Sequence, residues 1–151
     1  DETFLSSYIK SQIACGNILP SKGTVFISID NDNKKFIIEI AQKLKELDFN
    51  LLATKGTAEY LNTNNIKTKI VNKVKEGNPN VVDSLINNEI QLVINTTKTQ
   101  SSIRDSYSIR RTSLMYNIPY YTTIAGAKVA VDAIEHMKTQ EFTIKSLQTI
   151  N

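Results

Sequence analysis

Cysteine and histidine occur once each, as Cys15 and His136, and tryptophan is absent from the 151 residues. One thiol excludes an internal disulfide framework and suits a reducing, cytoplasmic setting, which is the location expected. A single Cys with a single His roughly 120 residues away is a poor nucleophile–base pair. One His, one Cys and scattered carboxylates also give no metal-ligand spacing. Glycine is scarce, at five residues, and neither GxGxxG nor GxxxxGK[ST] is present, so a dinucleotide fingerprint and a P-loop are both excluded. No apolar run approaches the ~20 residues a membrane helix needs, and no membrane role is expected. The opening Asp1-Glu2-Thr3 lacks the charged and apolar regions of a signal peptide and has no initiator Met, so a piece of a longer chain is expected.

Charge of one sign is equally sparse. Eighteen basic residues against fifteen acidic ones give a net charge of +3 with no polybasic block. A nucleic-acid surface calls for a basic stripe interleaved with aromatics, and none is found. Arg110-Arg111 is the only adjacent arginine pair, and its expected place is a solvated helix face. The length suits one domain able to bury a substantial core.

The pattern alternates. Residues 4–18 have helical apolar spacing and predict a linker helix that docks on a neighbour outside the chain, stopping at Gly16-Asn17. From Gly23, the β-branched run Thr24–Ile29 predicts a central strand covered on both faces. Asp30-Asn31-Asp32-Asn33 breaks it and is expected to cap a helix over 34–47. Further strands are predicted at 49–53, 68–71, 92–95 and 119–122, with helices at 58–64, 80–88, 102–116 and 125–137. Five strand–helix alternations imply a three-layer α/β sandwich around a five-stranded parallel sheet. Residues 1–22 are assigned to the linker helix, 23–138 to the domain, and 139–151 to a polar tail, a short surface strand or loop.

Ligands of an open parallel sheet sit at the carboxyl ends of its strands. There the chain places Ser28 with Lys34 one loop away, then Thr54-Lys55-Gly56-Thr57, Asn72-Lys73, Asn95-Thr96-Thr97-Lys98, and Thr122-Thr123. Hydroxyls and helix N-terminal N–H groups donate to phosphate oxygens, Gly56 allows close approach, and lysines neutralise charge. Thr57 and Thr97 taken singly read equally as structural caps. Their convergence on one rim predicts an anion pocket. Asp30 and Asp32 read as turn and cap chemistry, and Asp83 and Asp105 as carboxylates early in helices. Asp105 lies nearest the expected pocket, in reach of a ligand hydroxyl.

These residues carry a resemblance. Gly23–Ile29 (GTVFISI), Ala53–Thr57 (ATKGT), Val71–Gly77 (VNKVKEG), Ile94–Thr97 (INTT) and Ile109–Ser113 (IRRTS) resemble the carboxyl-terminal regulatory domain of carbamoyl-phosphate synthase large subunits. Lys10–Gly16 and Leu19–Gly23 resemble the linker into it, and Ser146-Leu147-Gln148 its end. The wider family is methylglyoxal synthase-like, with a five-stranded parallel sheet between helices. The resemblance implies an allosteric module that binds a nucleotide monophosphate, UMP or IMP, and no cofactor of its own. It implies a parent enzyme using ATP with Mg or Mn, and as partners the rest of the large subunit and a glutaminase small subunit.

Carried over by motif, phosphate and ribose meet Lys34, Thr54, Gly56, Thr57, Lys73, Asn95, Thr96 and Thr97, with Ser28 and Asp105 at the edge. Tyr121 and Thr122 fall in the stretch resembling part of an ornithine region. The chain departs from the bacterial pattern at Gln100-Ser101, where that pattern has a basic pair, and at Tyr121, where it has an acid. Methylglyoxal synthase itself, a lyase acting on dihydroxyacetone phosphate, is the alternative. Its Gly-Asp motif reads Gly77-Asn78 here, and the stretch matching its His loop, 100–105, holds no histidine. The cyclohydrolase domain of purine synthesis shares the first-strand features, but its Lys-Thr-Leu-His-type motif is missing.

Overall fold

The structure is a computed structural model that describes residues 2–14, 18–98 and 100–150, and the side chains of 4–14, 18–98, 100 and 102–140. Five strands form one sheet: β1 (Thr24–Ser28), β2 (Asn50–Ala53), β3 (Lys69–Ile70), β4 (Leu92–Asn95) and β5 (Tyr120–Tyr121). Their order is β3-β2-β1-β4-β5 and every pairing is parallel. The helices are α1 (Glu2–Ala14), α2 (Lys34–Glu46), α3 (Lys55–Thr63), α4 (Val81–Ile86), α5 (Gln100–Asp105), α6 (Tyr107–Met115) and α7 (Ile124–Ile150). The predicted three-layer α/β sandwich is what forms.

The period of two along each strand explains the layers. Val25, Ile27, Leu51, Ala53, Leu92 and Ile94 face a core closed by Ile37, Ile40 and Leu44 of α2, Ala58 and Leu61 of α3, and Ala130 and Ile134 of α7. On the opposite face Phe26 and Val93 pack with Val81 and Leu85 of α4 and Ile109 of α6. Both faces of the central strands are therefore dry, which is why those runs read as unbroken apolar sequence. Ile27 is fully buried. Truncating such a side chain to alanine typically costs about 2–5 kcal/mol.

The scarcity of glycine is met by another device. Asp48, Asn65, Asn88 and Asn117 all take positive φ, between 56° and 67°. Each follows a helix (α2, α3, α4 and α6) and turns the chain back toward the sheet, the left-handed position that short amide and acid side chains tolerate best after glycine. Gly23 and Gly77 do take positive φ, 121° and 132°, and at Gly23 a Cβ would also sit 2.2 Å from the Gln91 side-chain oxygen. That oxygen accepts the Thr24 N–H at 2.7 Å and ties the start of β1 to β4.

Several expectations are corrected. The helix expected to dock outside the chain packs on α7, with Leu5, Tyr8 and Ile9 against the first core. Residues 139–150 continue α7 as helix and are neither strand nor loop. The predicted helix over 102–116 is divided at Ser106, so Asp105 ends α5 and does not sit early in a helix. The α3 helix begins at Lys55, three residues before the predicted start, which puts Gly56 and Thr57 in its first turn. Asn33 occupies the N-cap position of α2 but makes no side-chain cap bond; its amide nitrogen donates to Asp30. Cys15 and the Gly16-Asn17 stop lie outside the described residues, as do the side chains of the tail's Phe142, Ile144 and Leu147.

Candidate functional site

The sheet order reverses between β1 and β4, the point at which open α/β sheets leave a crevice beyond their carboxyl ends. A cleft of about 420 Å³ lies there. All ten residues expected to meet the effector line it: Ser28, Lys34, Thr54, Gly56, Thr57, Lys73, Asn95, Thr96, Thr97 and Asp105. Tyr121 and Thr122 do not. The Tyr121 hydroxyl meets the Tyr8 hydroxyl at 2.9 Å, joining β5 to α1.

The floor is polar but almost dry. Thr54, Thr57, Asn95 and Thr96 are all buried. Thr57 Oγ1 accepts the Ile29 N–H at 3.1 Å, and Ser28 Oγ lies 3.2 Å from Thr54 Oγ1. Thr54 stands at the N-cap of α3 without using its side chain as a cap. The first intrahelical bond of α3 runs from the Ala58 N–H to the Thr54 carbonyl at 2.8 Å. The N–H groups of Lys55, Gly56 and Thr57 therefore precede the hydrogen-bonded ladder, the arrangement that favours an anion. A Cβ on Gly56 would lie 3.3 Å from Lys34 Nζ, so the lysine ammonium sits over this helix start.

Three carboxylates share the cleft with three lysines, and their pairing decides the local charge. Asp30 accepts from the Thr96 hydroxyl at 2.7 Å, the Asn33 amide at 2.8 Å, and the Asp32 and Asn33 N–H groups at 3.1 and 3.2 Å. Burial pushes its carboxyl up, but these donors outweigh burial and hold it below the usual carboxylate range. Asp32 pairs with Lys98 across the mouth. Asp105 Oδ1 lies 3.1 Å from Lys75 Nζ, an ion pair whose angles fall short of a hydrogen bond. Lys34 and Lys73 have no ion-pair partner among the described residues.

Asp30 and Asp32 thus shape the first loop, as their turn reading predicted. Asp83 receives the Asn80 N–H at 2.8 Å and completes a capping box, a structural role. Arg110 and Arg111 are exposed on α6. Sequence reasoning did not single out Ser106, which also lines the cleft, or the hydroxyl of Tyr120 behind Asn95; Lys98, noted at its strand end, lines the cleft as well. Tyr120 stood in the sequence only as part of the predicted strand over 119–122. Among the described residues no cluster of His, Cys, Asp and Glu is placed to hold a metal, and no helix is long and apolar enough to cross a membrane.

Comparison with known proteins supports the same grouping. Residues 36–122 match the model of the MGS-like domain. The chain is 47% identical over 145 residues to the carbamoyl phosphate synthase large chain of Myxococcus xanthus, covering 96% of this chain and 13% of that one. It is 46% identical over 152 residues to the C-terminal section of the Methanopyrus kandleri large chain, covering 100% of this chain and 28% of that one. The Haemophilus ducreyi large chain is 41% identical over 99% of this chain, which spans 14% of that one. This chain is therefore only a small part of the length of the curated relatives it matches. The crystal structure of methylglyoxal synthase from Elizabethkingia anophelis has the same fold, with a TM-score of 0.58 at 18% identity over 75% of this chain and 79% of that one. With the family model matching 36–122 and the sheet order and cleft that go with it, the chain belongs to the MGS-like domain family.

Proposed function

We propose that the cleft binds a nucleoside 5′-monophosphate, UMP or IMP, and that the chain is the allosteric regulatory part of a carbamoyl phosphate synthase large chain. In that role it controls ATP-dependent, glutamine-hydrolysing carbamoyl phosphate synthesis for pyrimidine and arginine formation, alongside the rest of the large subunit and the glutaminase subunit. The observation that carries the reading is the division of charge in the cleft. Asp30, Asp32 and Asp105 are each engaged by protein donors or cations, while Lys34 and Lys73 are not. Lys34 stands beside the exposed N–H groups of α3, so two cations and a helix start face one volume. A phosphate dianion suits that volume, and the wet rim leaves space for a nucleoside.

Binding without turnover goes with this reading, since among the described residues no histidine lines the cleft and Gly77 is followed by Asn78 and not by a carboxylate. Coupling to the synthetase is reciprocal, with ~1–3 kcal/mol typical of such linkages.

The test is calorimetric titration with UMP, IMP and dihydroxyacetone phosphate. Saturable nucleotide binding that Lys73→Ala abolishes, at an unchanged melting temperature, is the expected result. Turnover of the triose phosphate without nucleotide binding would overturn the reading in favour of a lyase.

A further inference from the structure

Asn95 ends β4 in the cleft and is almost wholly buried, at 2% exposure. A side-chain amide in such a place has one donor end and one acceptor end, and what it can recognise depends on which end faces the ligand. Here the nitrogen is turned toward β5: Nδ2 donates one of its two N–H groups to the Tyr120 hydroxyl at 2.8 Å. Among the described residues nothing donates to Oδ1, which is left as the acceptor for the cleft that Asn95 lines.

The sheet explains how Tyr120 reaches. β5 pairs with β4 so that Tyr120 stands opposite Val93, on the same face as Asn95 two residues further along. Two residues of strand rise about 6.6 Å, roughly the length of a tyrosine side chain leaning along its strand. The ring packs on the second core beside Val93 and Ile109, which fixes the hydroxyl in place.

We infer that Tyr120 is a positioning residue for the effector cleft: it holds the Asn95 amide so that its carbonyl oxygen, and not its nitrogen, meets the ligand. An acceptor there reads a ribose hydroxyl or a base N–H and repels phosphate oxygens. Asn95 therefore serves the nucleoside half of the ligand, while Lys34 and the α3 start serve the phosphate. This refines the nucleotide reading above and rests on it. Burial pushes the Tyr120 hydroxyl up, against the opposing effects of the Asn95 bond and Arg110, so it stays neutral through the physiological range. A neutral hydroxyl accepts from the amide and still keeps its own proton.

The experiment is a double-mutant cycle on UMP and IMP affinity with wild type, Tyr120→Phe, Asn95→Ala and the double variant, each checked by its melting curve. A lost, well-placed hydrogen bond corresponds to roughly a two- to tenfold loss of affinity. Tyr120→Phe is expected to weaken binding by that factor alone and to cost nothing further in the Asn95→Ala background, since it acts only through Asn95. Losses that multiply in the double variant, or a Tyr120→Phe affinity within measurement error of wild type, would overturn the inference. A second readout is the NMR order of the Asn95 side-chain amide, expected to be high in wild type and low in Tyr120→Phe. If wild type binds neither nucleotide, the functional reading fails. Equal amide order in both proteins would then overturn the Tyr120 link, and a drop in Tyr120→Phe would uphold the link without its nucleotide.

Discussion

Gly56→Ala separates ligand binding from stability. Gly56 is the second residue of α3 and has ordinary helical backbone, so alanine is compatible with the fold. Intrinsic helix propensity favours alanine by up to about 1 kcal/mol, less at a helix end. In a chain of this size that raises the melting temperature by at most about 2–4 °C. The new methyl stands 3.3 Å from Lys34 Nζ, tight enough to displace a flexible ammonium by a few tenths of an ångström at little cost to the fold. A phosphate cannot give way so easily, because the methyl occupies its approach to the helix start. Losing one charge-assisted hydrogen bond to a backbone N–H costs about 1.5–3 kcal/mol, roughly a ten- to 150-fold loss of affinity. Paired thermal melts and UMP titrations read both quantities from one preparation. Unchanged affinity would show that no anion sits at this helix start, and a fall in melting temperature would show that Gly56 is there for packing.

Asp30→Asn is expected to destabilise by about 1–2 kcal/mol near neutrality, since the carboxylate accepts from four donors. A lowered folded-state pKa means that this stability is present above the unfolded value near 3.9 and is lost as pH falls through the lower folded value. Wild type and variant should therefore converge in urea melts below about pH 4. Tyr121→Phe removes the hydroxyl contact with Tyr8 and should loosen α1 by about 1 kcal/mol, seen as faster proteolysis near residue 8. Burial first, and then Tyr8, push the Tyr121 hydroxyl up strongly. That contact is complete below the unfolded value near 10 and weakens as pH rises beyond it. Asn65→Ala should cost about 1 kcal/mol through its positive φ, while Asn65→Gly should be neutral or stabilising, both read by thermal melts.

The alternation of strand and helix was legible because β1, β2 and β4 are sealed on both faces and so appear as apolar runs between polar breaks. β3 and β5 are two-residue strands, shorter than the predicted 68–71 and 119–122. The cleft was legible as a set of strand-end hydroxyls and lysines, because a parallel sheet sends all those ends to one side. What stayed hidden depends on neighbours that are distant in sequence. The pairing of Val93 with Tyr120 brings a hydroxyl to Asn95, and no local pattern records that register. The Asp105–Lys75 pair likewise joins the end of α5 to the turn after β3 by tertiary proximity alone. The tail was misread because polarity was taken for irregularity, when a helix continuing from a packed one needs little apolar surface of its own.

The unequal strand lengths have a dynamic consequence. Ser28, Asn95 and the Thr54 end of β2 hang from strands flanked on both sides, whereas Lys73 follows β3, a two-residue strand at the sheet edge. Amide hydrogens along the central strands should exchange with solvent only through global opening, while those around Lys73 exchange through cheap local excursions. The cleft is thus a fixed floor with one yielding wall. A ligand gripped by both would slow exchange selectively at residues 71–77, and the chain would report occupancy as a change in local opening even where its mean coordinates barely move.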